Sequence, residues 1–118
     1  MPQDVRAGYL APYDSWQNRI AVLRFVQDIP LEPEDRSSAL VTQVQEGLSQ
    51  FRGVPLLICW GERDFVFDQH FLDEWQRRFP DAEIHRFPDA GHYVLEDARA
   101  EIQPLIHDFL QRHPLSAS

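Results

Sequence analysis

Residues 54–60, VPLLICW, constrain the fold of this chain more than any other stretch. The run carries no charge and shows no apolar–polar alternation. A half-buried strand alternates, whereas a short continuous run reads as a strand covered on both faces, as in a parallel sheet. Pro55 is tolerable near the start of such a strand. Two parallel strands need a crossover between them, and a helix is the usual one. Residues 68–79 fit that role, with Phe71, Leu72, Trp75 and Phe79 on one face and Pro80-Asp81 as the break. Residues 82–87 then form the second strand. The order strand, helix, strand predicts an α/β fold with parallel strands joined by a right-handed crossover.

Both strands end in residues that carry chemistry. The first runs into GERD, with Gly61 and Asp64, and the second into DAGH, with Gly91 and His92. Functional residues of open parallel sheets collect at the carboxyl ends of strands. An acid there and a histidine on the next strand's end form the acid–base half of a hydrolytic triad: the carboxylate fixes the imidazole's tautomer and the second ring nitrogen faces the reaction. Alone, His92 would be a loop histidine and Asp64 a turn residue; their joint placement favours function. Asp68 competes with Asp64, but it stands where a helix N-cap is wanted. A nucleophile motif of the form G-x-S-x-G or G-x-D-x-G does not occur.

His70, His85, His107 and His113 lack ligand spacing, so no metal and no cofactor is expected. Tyr93 and Val94 flank His92 and are candidates for an apolar substrate wall; Tyr9, Leu10 and Pro12 are weaker candidates for the same role. Phe65, Phe67 and Leu95 read as packing residues, and Glu96 and Asp97 as a solvated turn or cap.

The remaining segments read as helices. Residues 1–14 look irregular, with Pro2, Gly8 and Pro12. A helix over residues 15–27 would bury Trp16, Ile20, Leu23 and Val26. Pro30 and Pro33 break it, and a second helix starts at Pro33 with Glu34 and Asp35 in its first turn. Its stripe is Leu40, Val41, Val44 and Leu48, and Gly53 closes the turn that follows. After a single turn at residues 94–97, a last helix spans residues 98–111. Ile102, Leu105, Ile106, Phe109 and Leu110 face inward there, and Pro104 kinks it or marks its first turn.

The chain has 118 residues and a formal charge of −8, with every basic residue an Arg. An acidic surface argues against nucleic acid and anionic membranes as partners. No run of about 18 apolar residues occurs to span a membrane. The N-terminal MPQDVRAGYLAPYD lacks the basic and apolar regions of a signal peptide, and the lone Cys59 fits a reducing compartment, so the expected location is cytoplasmic. Cys59 sits in the apolar strand and reads as a small buried thiol.

PLLICWGERDFVFD followed by FPDAEIHRFPDAGHYVLEDA resembles the C-terminal end of the α/β-hydrolase fold, in its haloalkane dehalogenase and epoxide hydrolase branch. YLAPYDSWQNRIAVLRFVQDIP resembles the end of that branch's helical cap. The resemblance implies a C-terminal piece of a larger hydrolase: residues 1–33 the end of the cap, 34–113 the end of the core, 114–118 a frayed tail. It implies that Asp64 is the triad acid and His92 the base, with a nucleophile, Asp or Ser, ahead of the cap. The implied substrate is small and hydrophobic. Esterase, epoxide hydrolase and β-lactone chemistry stay open, as does a truncated, non-catalytic protein that binds a partner. Whether these residues act alone is also open; the missing N-terminal half or a second copy are the expected partners.

Overall fold

The computed structural model describes residues 1–114. It holds two compact units, residues 1–50 and, among the described residues, 51–114. The expected frayed tail falls, from residue 115 onward, outside the described residues.

The first unit is helical. It contains α1 (Gln3–Leu10), a 3-10 turn (Ala11–Tyr13), α2 (Trp16–Gln27) and α3 (Ser38–Gly47), followed by a second 3-10 turn (Leu48–Phe51). Residues 1–14 are therefore not irregular. Pro2 precedes α1 and its carbonyl accepts the Arg6 N–H at 3.0 Å, while Pro12 sits at the start of a 3-10 turn. At those positions an amide N–H has no helical partner anyway, so a proline costs nothing. Ser15 caps α2, its hydroxyl accepting the Asn18 N–H at 3.2 Å.

The second helix does not start at Pro33. The Asp35 carboxylate accepts the Leu31 and Glu32 amides at 2.7 and 2.9 Å and holds a turn there. The helix begins three residues beyond Asp35, at Ser38. These backbone bonds hold the Asp35 carboxyl below the usual carboxylate range.

The expected burial of the α2 stripe also fails. Trp16 is 70% exposed, and Ile20, Leu23, Val26, Leu40, Val41 and Val44 are exposed too. Helical spacing defines a face, but another element must cover it, and nothing within residues 1–50 does.

The second unit holds the sheet. β1 (Leu57–Gly61) and β2 (Glu83–Phe87) pair in parallel, with Leu57 opposite Glu83 and Gly61 opposite Phe87. α4 (Gln69–Arg78) links them, capped by Asp68, whose carboxylate accepts the His70 N–H at 3.0 Å. Gly53, at φ 85°, makes the left-handed turn before β1.

A one-turn helix α5 (Val94–Asp97) and α6 (Arg99–Arg112) follow β2, and α6 runs through Pro104. The core joins Phe87, Ala90, Ala98 and Ile102, with Cys59, Val94 and Leu105 against it. Burial, then the Glu83 charge, pushes the Cys59 thiol pKa up, as befits an inert packing thiol. Leu72 on α4 is fully buried, and Trp75 stacks on Phe79 at 5.7 Å. Ile106 and Leu110, expected inward, are exposed because only one face of α6 meets β1 and the loop after β2.

Candidate active site

The two loops at the carboxyl ends of β1 and β2 are stitched together by backbone. The Glu62 N–H donates to Phe87 O at 3.0 Å and the Arg63 N–H to Ala90 O at 2.9 Å. Gly61 stands where a methyl group would collide with the carbonyls of Ala90 and Gly91, so only glycine lets the loops approach this closely. Arg63 and Asp89 add an ion pair across the loops, highly exposed and thus of small energetic weight.

This stitching brings Asp64 and His92 together. The His92 Nδ1 lies 3.1 Å from Asp64 Oδ1 and 3.0 Å from Oδ2, so Nδ1–H is shared between both oxygens. Asp64 Oδ1 also accepts the Val66 and Phe67 amides at 2.8 and 3.0 Å. The Asp64 side chain is 11% exposed and that of His92 35%. Burial alone would raise the Asp64 pKa. Hydrogen bonds from the Phe67 amide, His92 and the Val66 amide, with the imidazole's charge, outweigh it and hold the carboxyl below its ordinary 3.8. Asp64 is thus a fixed carboxylate that presents one face to an imidazole. With Nδ1 occupied, proton transfer falls to Nε2.

Asp68, the competing acid, is engaged in capping α4 and forms no part of this pair. Tyr93 packs edge-on against the His92 ring at 5.6 Å and is 54% exposed. Val94 instead packs against the core beneath the loop. Tyr9 lies in α1 and Pro12 in the 3-10 turn of the first unit.

Two residues that sequence reasoning assigned to packing or solvent belong to this site. Phe67 gives its amide to Asp64 and sets its ring 5.6 Å from that of His92. The Asp97 carboxylate accepts the Gly91 N–H at 2.9 Å, beside His92. The single turn expected at residues 94–97 is the available signal for the second, since it brings the Asp97 carboxylate back to the Gly91 amide. Among the described residues no cluster of His, Cys, Asp and Glu suits a metal ion, and no helix is long and apolar enough to cross a membrane.

A profile of the family described as alpha/beta hydrolase fold matches residues 5–98. The chain belongs to that family. Two relatives share high identity with it. A cis-3-alkyl-4-alkyloxetan-2-one decarboxylase of Shewanella oneidensis is 52% identical over 93% of this chain and 35% of its own length. A protein of the same name from Xanthomonas campestris pv. campestris is 49% identical over 98% of this chain and 38% of its own length. A haloalkane dehalogenase of Mycobacterium marinum is 28% identical over 86% of this chain and 34% of its own length. The chain spans about a third of the length of these α/β-hydrolase-fold relatives.

Proposed function

We propose that these residues supply the acid and the base of a nucleophile–histidine–acid triad, as the C-terminal part of a larger α/β-hydrolase-fold enzyme. The observation that carries this is the His92 Nδ1–Asp64 pair at the ends of adjacent parallel strands. Asp64 orients the ring and stabilises its protonated form, and Nε2 moves the proton. The nucleophile comes from outside the described residues.

For the reaction, the similarity favours a β-lactone over a haloalkane. Relatives at 52% and 49% identity carry the oxetanone decarboxylase name, against 28% for the dehalogenase. An oxetan-2-one is a four-membered lactone. Breaking its ring C–O bond to the alkyl-bearing carbon and its bond from the carbonyl carbon to the other alkyl-bearing carbon leaves an alkene and carbon dioxide, with no net proton change. The exposed rings of Phe67 and Tyr93 beside His92 suit alkyl chains on such a ring. The test incubates the complete protein with a cis-3,4-dialkyl β-lactone and, separately, with bromoalkanes. Alkene from the lactone, lost in His92→Ala, supports the reading; halide release without alkene would replace it with the dehalogenase reading.

A further inference from the structure

The His92 loop is pinned on both sides. Upstream, Ala90 is buried and its carbonyl takes the Arg63 amide at 2.9 Å. Downstream, Ala98 is buried and its amide bonds Val94 O at 2.9 Å, closing α5. His92 lies between these anchors, which share the apolar core, and a side-chain hydrogen bond spans the loop: Asp97 Oδ2 accepts the Gly91 N–H at 2.9 Å. Asp97 is itself fixed, because its own amide bonds Tyr93 O at 2.9 Å. Gly91 does not hold the loop by shape. Its φ is not in the left-handed region, and a Cβ there would meet Arg63 O at 3.6 Å and Asp97 Oδ2 at 3.7 Å, ordinary contacts.

We propose that Asp97 is a positioning residue: by taking the Gly91 amide it sets where the His92 ring stands against Asp64. This rests on the triad reading above. The ring reaches both Asp64 oxygens at 3.0–3.1 Å, and a shift of the loop would replace that shared bond by a one-sided or a longer one.

The experiment uses the complete protein, with Asp97→Ala, Asp97→Asn and Asp64→Asn. Two quantities are read: steady-state kinetics on the β-lactone, and the low-field proton resonance of His92 Nδ1–H. Asp97→Ala is expected to lower kcat by about 10–100-fold with KM little changed, since misplacement by about 1 Å costs a factor near 100. It is also expected to lose the Nδ1–H resonance at an unchanged melting temperature. Asp97→Asn, whose amide oxygen still accepts the Gly91 N–H, restores most of both. A resonance lost in Asp64→Asn but retained, with full kcat, in Asp97→Ala overturns the proposal and leaves the triad standing. A resonance indifferent to Asp64→Asn overturns both. If Asp97→Ala does not fold, exchange of the Gly91 amide in the unmodified protein decides: protection supports the contact, and exchange at the rate of an unstructured glycine overturns it.

Discussion

Residues 1–50 and residues 51–114 are built by different kinds of force. In the first unit no residue is buried, and its helices stand on local devices such as the Ser15 cap and the Asp35 turn. In the second, a small core of Phe87, Ala90, Ala98 and Ile102 sits under two loops that carry the candidate chemistry. Local signals are enough to start and stop a helix, but cooperative stability comes from burial. The first unit thus leaves its apolar stripe uncovered among residues 1–50, while the second ties its two loops together by backbone bonds and the Asp97 contact.

The largest test of that contrast is catalytic. In the complete protein His92→Ala should abolish turnover, and Asp64→Asn should keep the fold and lose on the order of 10⁴ in rate, by analogy with a serine protease triad. The 118 residues alone should show no enzymatic rate on p-nitrophenyl esters, bromoalkanes or β-lactones. Activity of the isolated chain that His92→Ala removes would mean the second unit is a complete site.

Next in size is packing. Ile102→Ala should destabilise the second unit by about 2–5 kcal/mol, the usual cost of a large-to-small change at a buried site. Leu23→Ala, on the exposed stripe, should stay within about 0.5 kcal/mol. Equal losses in denaturant melts would show that the α2 stripe is covered in solution. The isolated chain is expected to self-associate through these exposed apolar side chains and the open edges of its two-stranded sheet. A monodisperse monomer by light scattering would contradict this.

A smaller effect comes from acid. The Asp64 pKa is depressed in the folded chain, so its contribution is fully present above the unfolded value and is lost as pH falls through the folded one. Stability of the second unit should therefore drop below about pH 4, and Asp64→Asn should flatten that limb. An identical acid limb in the mutant would assign it elsewhere, with Glu74, pulled down to about 2 by Arg77 and Arg78, the next carboxylate to examine. Smallest is the cap: Ser15→Ala should cost about 1 kcal/mol of α2 helicity by circular dichroism and leave the β1–β2 unit untouched.

The same contrast explains what the sequence discloses. The apolar run at residues 54–60, the Pro80 break and the acid and histidine after the two strands are local patterns, and they predict the parallel pair and the Asp64–His92 encounter. The strand itself starts later, at Leu57, because pairing with β2 decides its bounds. The α1 helix is hidden because Pro2, Gly8 and Pro12 look like breakers, although the prolines stand where no amide bond is needed. The exposure of Trp16 is hidden because spacing names a face and not its cover. Phe67 and Asp97 are hidden because a bond between a carboxylate and a loop amide three or six residues away leaves no periodic trace.

Cys59, the lone thiol of the chain, packs against Ile102 and its neighbours with its pKa raised. It therefore serves as a native clock. An alkylating reagent acts on the thiolate, which is scarcer while burial holds the Cys59 pKa up than once α6 lifts from β1. The labelling rate, read by mass, rises with those openings and needs no engineered cysteine. It reads how often the floor beneath the His92 loop comes loose, and whether a bound partner or substrate slows it.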